Sequence, residues 1–95
     1  MEIKVHAVGF KADAKLVEFS NAKVSKLAQF SDQIVTSEVF FRVDNTQSVE
    51  NKVAEVKILV PGNELFAKKQ SKSFEESIDL AVDALKKQIE KTKNK

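Results

Sequence analysis

The sequence predicts an α+β domain in the order β-α-β-β-β-α, a four-stranded sheet with two helices on one face. Three observations carry that expectation. Two stretches repeat apolar residues at helical spacing, each opened by a capping residue, Asp13 or Ser73. Four other stretches alternate apolar and polar residues with the period of two that a strand requires. Pro61-Gly62-Asn63 separates the last two of these as a tight turn. Ninety-five residues suffice for one core and not for two, so residues 1–95 form a single domain.

Ile3, Val5 and Ala7 alternate with polar neighbours and read as the first strand. Asp13 then caps a helix from Ala14 to about Phe30, roughly 25 Å long at 1.5 Å per residue. Its apolar face holds Leu16, Phe19, Val24, Leu27 and Phe30, and Lys23 falls within that face. The methylenes of Lys23 would cover the core rim while its ammonium reaches either water or a phosphate. Val35 to Val43 is the second strand, with Val35, Val39, Phe41 and Val43 on one face and Thr36, Glu38, Phe40 and Arg42 on the other. Asp44 to Asn51 is a polar connection. Lys52 to Val60 is the third strand, with Ala54, Val56, Ile58 and Val60 inward. In the following turn proline presets φ and glycine accepts a positive φ. Glu64 to Gln70 returns as the fourth strand, and short connections make strands two to four an antiparallel meander. Ser73-Phe74-Glu75-Glu76 is a capping box, and Phe74, Ile78, Ala81, Val82, Leu85 and Ile89 form the apolar stripe of the helix it opens. Fraying is expected only after Ile89, giving a flexible basic tail from about residue 90.

The residue inventory excludes several classes of chemistry. There is no Cys, and His6, in the first strand, is the sole histidine, so thiolate or zinc sites and catalytic triads lack parts. Two glycines, Gly9 and Gly62, cannot build a phosphate-binding loop. No enzymatic activity and no cofactor, metal or small-molecule substrate are expected. No run approaches membrane-spanning length, and Met1-Glu2-Ile3-Lys4 lacks the apolar segment of a signal peptide, so the expectation is a soluble cytoplasmic chain without membrane contact.

Charge is what the sequence sorts. From Phe74 to Leu85 every charged residue is acidic (Glu75, Glu76, Asp79 and Asp83). From Lys86 onward stand Lys86, Lys87, Lys91, Lys93 and Lys95 against Glu90 alone, +4 within a chain whose net charge is +2. A helix dipole favours bases near the C-terminus by about 0.3–1 kcal/mol each, but only over the last turn. That accounts for Lys86 and Lys87 and leaves the later lysines over, which points to a polyanionic partner. The outer sheet face would carry Glu38, Phe40, Arg42, Glu55, Lys57, Phe66 and Lys68. Phe40 and Phe66 there would either stack bases or pair across strands.

With its elements in this order the chain resembles the ribosome hibernation-promoting factors and their relatives, the ribosome-associated translation inhibitors. The resemblance spans essentially the whole chain. It rests on Leu16-Val17-Glu18-Phe19 and Ala22-Lys23-Val24-Ser25-Lys26-Leu27 in the first helix. In the last helix it rests on Ser77-Ile78-Asp79-Leu80-Ala81-Val82-Asp83 running into Leu85-Lys86-Lys87-Gln88-Ile89. It implies a fold like a double-stranded-RNA-binding domain and a role in ribosome hibernation under stress or in stationary phase. The domain would occupy the mRNA and tRNA channel of the small ribosomal subunit, occlude the decoding region and silence translation. The resemblance further implies that basic side chains of the two helices contact ribosomal RNA phosphates. The matching positions are Lys23 and Lys26, then Lys86, Lys87, Lys91 and Lys93, with Lys95 in the tail. Gln88, Glu90 and Thr92 interrupt a basic run that is often denser in the family, so weaker or more salt-sensitive binding is expected. Longer members append a dimerising domain; a chain ending at Lys95 is expected to bind as a monomer, one per subunit.

From the residues alone two further readings stay open. One is a general RNA-binding module using the same lysines, or Phe40 and Phe66. The other is a protein-interaction adaptor that docks a strand on an open sheet edge. Sequence also leaves open whether antiparallel or splayed helices bring the two basic clusters onto one surface.

Overall fold

The computed structural model describes residues 2–44 and 49–93, with side chains as far as Lys91. Among them the order is β1 (Glu2–Ala7), α1 (Ala14–Ser25), β2 (Thr36–Val43), β3 (Lys52–Val60), β4 (Asn63–Ser71) and α2 (Phe74–Lys93). A 3-10 turn at Lys26–Gln29 continues α1. The strands lie side by side in the order β1-β2-β3-β4. β1 runs parallel to β2, and the other two pairings are antiparallel. The expected β-α-β-β-β-α architecture is what the chain adopts.

Local chemistry explains the boundaries. Asp13 Oδ1 accepts the Leu16 N–H at 2.8 Å, the N-cap read from sequence. The first helix, expected to stay α-helical to Phe30, instead tightens after Ser25. There the N–H groups of Phe30 and Ser31 both donate to the Leu27 carbonyl, at 3.0 and 3.2 Å. A tightened final turn satisfies carbonyls that an α-helix would leave orphaned. With three residues per turn it also brings Leu27 and Phe30 onto one side, toward the core. At the β3–β4 hairpin Val60 pairs with Asn63, leaving Pro61-Gly62 as the loop, and Gly62 takes φ +75° as expected. Ser73 Oγ accepts the Glu76 N–H at 3.1 Å and starts α2. That helix runs past Ile89, where fraying is expected, to Lys93.

Both helices cover one face of the sheet. Leu16, Val24 and Leu27 from α1 meet Ile78, Ala81, Val82, Leu85 and Ile89 from α2. Val39, Phe41, Ala54, Val56, Ile58 and Ala67 supply the sheet side of the same core. Val35 and Val43 depart from the expected inward row and are 52 % and 44 % exposed. They lie just before and at the end of β2, beyond the reach of the covering helices. Ser37 fills a buried position of that row, and Ser20, also buried, donates to the Leu16 carbonyl at 2.7 Å. Val53 belongs to the outer row yet is fully buried, between its register partners Arg42 and Gln70. Of the polar connection after β2, residues 45–48 lie outside the described residues, and the Asp44 N–H donates to the Asn51 carbonyl across its neck at 2.8 Å.

Strand directions fix those of the helices. The parallel β1–β2 pair requires α1 to run back against both strands. β4 runs with β2, and α2 doubles back from its end through Lys72-Ser73. The helices are therefore parallel to one another, neither antiparallel nor splayed. Cross-helix contacts keep one register: Lys23 meets Asp79, and further along Phe30 meets Lys86.

Candidate nucleic-acid interface

Parallel helices bring both basic C-terminal ends to the same end of the same face. Between them lies a furrow of about 170 Å³. Leu27, Phe30 and Val82 form its apolar lining, and Lys23, Lys26, Lys86, Asp79 and Asp83 its polar one. The structure thus joins Lys23 and Lys26 of the first cluster with Lys86 of the second.

Each lysine sits differently. Lys23 Nζ lies 2.9 Å from Asp79 Oδ1 and 5.4 Å from the Phe19 ring centroid, with its side chain 28 % exposed. Its methylenes lie on the core rim as expected, but the ammonium faces the Asp79 carboxylate. Lys86 Nζ stands 4.8 Å over the Phe30 ring, a cation–π contact that aims it at the furrow mouth. Lys87 reaches Asp83 at 3.3 Å across one helical turn and is well exposed. Lys26 and Lys91 are exposed, and among the described residues no ion-pair partner stands beside either. Lys93 closes α2, and its side chain, like Lys95, lies outside the described residues.

Asp79 and Asp83 line the furrow, and the charge pattern did not place them there. Along the sequence they read as the acidic half of α2, apart from the lysines. Parallel packing sets that half against the C-terminal part of α1, so the furrow alternates in sign. The Asp83/Lys87 spacing of four residues was a readable signal. The Lys23–Asp79 pair, separated by most of the chain, was not.

The opposite face of the sheet is a charge-paired mosaic. Its cross-strand rows run Lys4–Glu38–Lys57–Phe66 and His6–Phe40–Glu55–Lys68. Arg42 donates to Glu55 at 3.1 Å, and His6 Nε2 lies 3.2 Å from Glu38. The His6 and Phe40 rings stack at 4.8 Å, so Phe40 is engaged in cross-strand pairing. Phe66 is 47 % exposed beside Lys57, without an aromatic neighbour in its row. A cavity of about 280 Å³ near the β3–β4 hairpin is lined by Ser31, Asp32, Gln33, Val60, Asn63, Leu65 and Ile89, with no cation among them. Among the described residues no group of three or more His, Cys, Asp or Glu is placed to hold a metal, and no helix is long and apolar enough to cross a membrane.

Comparison with known proteins agrees with this architecture. A ribosomal subunit interface protein from Coxiella burnetii superposes with a TM-score of 0.87 at 22 % identity, over 100 % of both chains. The N-terminal domain of Protein Y from Thermus thermophilus superposes with a TM-score of 0.83 at 19 % identity, over 97 % of this chain and 99 % of its own. At such identities the likeness is one of fold. No curated protein matches the sequence. The model of one family does match, over residues 3–95, nearly the entire chain. This protein therefore belongs to the Sigma 54 modulation protein / S30EA ribosomal protein family.

Proposed function

We propose that this chain is a hibernation factor that silences translation by seating its paired basic helix ends against ribosomal RNA. It enters the mRNA and tRNA channel of the small ribosomal subunit as a monomer, in the cytoplasm of stressed or stationary-phase cells, and occludes the decoding region. The observation that carries this reading is the convergence of Lys23, Lys26 and Lys86 on one furrow, with Lys87 and Lys91 in the same C-terminal half of α2. Membership of the S30EA family and the fold of a ribosomal subunit interface protein support it. Lysine heads contact phosphates and position a protein without reading base sequence, so selectivity comes from fitting one RNA-walled cavity. The same chemistry serves a general RNA-binding module, which would bind arbitrary duplex RNA as tightly as ribosomal subunits.

The test is co-sedimentation with purified small ribosomal subunits across a salt series. Saturation near one copy per subunit is expected, falling as salt rises and lost in the Lys86→Glu/Lys87→Glu/Lys91→Glu variant. A folded variant that pellets like the parent would overturn the site, and no pelleting even at low salt would overturn the function.

A further inference from the structure

Asp79 and Asp83 stand one turn apart on α2 and line the furrow together with Lys23, Lys26 and Lys86. Their carboxylates lie 2.9 Å from Lys23 Nζ and 3.3 Å from Lys87 Nζ, and both aspartates are more than half exposed. On a surface built only to hold phosphates, each would be a repulsive charge placed among the contacts. Each has an ion pair of its own, Asp79 across to α1 and Asp83 along α2, but neither pair is fully buried. Both aspartates lie beyond the first turn of a helix that starts at Phe74, where the dipole's preference for acids has faded. Core packing does not use them, and exposed ion pairs of this kind stabilise a fold little.

We propose that Asp79 and Asp83 are the selectivity elements of this furrow. They fix Lys23 and Lys87 and repel generic polyanions, and they accept hydrogen bonds from an RNA surface that supplies donors beside its phosphates. RNA offers both 2′-hydroxyls and base amines as donors, whereas DNA lacks the 2′-hydroxyls and heparin the base amines, so each offers only part of that set. A bare polyanion must pull Lys23 from Asp79 and lie against an uncompensated carboxylate. A folded RNA can occupy Lys26 and Lys86 with phosphate while its own donors satisfy the aspartates. Discrimination then comes from a penalty on the wrong ligand as much as from attraction to the right one. This inference rests on the reading of the furrow as the RNA-binding face.

The test compares the parent with the near-isosteric Asp79→Asn/Asp83→Asn variant at fixed salt, on small ribosomal subunits, heparin and a short DNA duplex. The variant is expected to bind heparin and DNA on the order of tenfold more tightly, from two carboxylates removed at contact range. Affinity for the subunit stays level or falls, so the selectivity ratio drops about tenfold. A destabilised fold would weaken all three probes together and leave that ratio alone, which separates a structural role from a selective one. A Lys26→Glu/Lys86→Glu variant is measured in parallel. If it loses subunit binding while the aspartate variant keeps the parental ratio, the inference falls and the RNA-binding face stands. If it binds every probe as the parent does, the face itself is wrong and the inference falls with it.

Discussion

Ser77 occupies a fully buried position on α2 and holds the head of the helix by hydrogen bonding. Its hydroxyl donates to the Lys52 carbonyl at 2.6 Å and lies 2.7 Å from Ser71 Oγ, which also reaches the Ser73 carbonyl at 2.9 Å. Two hydroxyl protons serve three contacts, so two of the three are hydrogen bonds at any one time. It ties the first turn of α2 to the start of β3 and the end of β4. Ser77→Ala removes a donor from a packed polar cluster and should cost about 1–3 kcal/mol, read as a lower urea midpoint with an unchanged slope. An unchanged midpoint would mean that water replaces the hydroxyl. The apolar stripe of α2 gave no hint of this role, because nothing adjacent in sequence shows which carbonyl a buried serine will meet.

At the scale of elements, what was legible was what is local. Asp13 and Ser73 cap the helices they precede, and both bonds form. Strand β3 has the expected ends, and its inward row buries Ala54, Val56 and Ile58. What escaped was set by packing. The 3-10 turn at Lys26–Gln29 follows from bringing Leu27 and Phe30 to the core. Val35, just before β2, and Val43, at its end, are exposed instead of joining the inward row. The hairpin shows how firmly a local signal can act. Gly62 has φ +75° with open space where a Cβ would stand, so Gly62→Ala meets only the backbone penalty of the left-handed region. That substitution should cost about 1–2 kcal/mol, and Gly62→Asn less, in equilibrium denaturation. Equal stability of all three proteins would mean that the turn relaxes to another conformation.

For the whole molecule, what decides the site is the direction of the helices, and that depends on which strands pair. The family resemblance marked six candidate lysines on two helices, and the sequence left their meeting open; parallel β1–β2 pairing points both basic ends the same way. The same topology opposes Lys23 to Asp79, so the cationic end is less positive than a lysine count suggests. The outer face instead intersperses its charges, pairing Arg42 with Glu55 and setting Lys4 and Lys57 on either side of Glu38. Each lysine that neutralises a phosphate releases counterions and adds roughly 0.9 to the slope of log K against log salt on duplex nucleic acid, less on single strands. Lys26→Ala and Lys86→Ala should therefore each lower the slope for small-subunit binding by about one. Lys68→Ala, on the outer face, should leave it unchanged. Lys23→Ala should lower it by less than either, because its charge is already opposed by Asp79 at 2.9 Å and the deletion exposes that carboxylate to the ligand. The order of the four slopes, measured by titration at several salt concentrations, separates contact through the furrow from diffuse attraction to net charge. Diffuse attraction would make all four deletions equivalent; contact through the furrow ranks them by position.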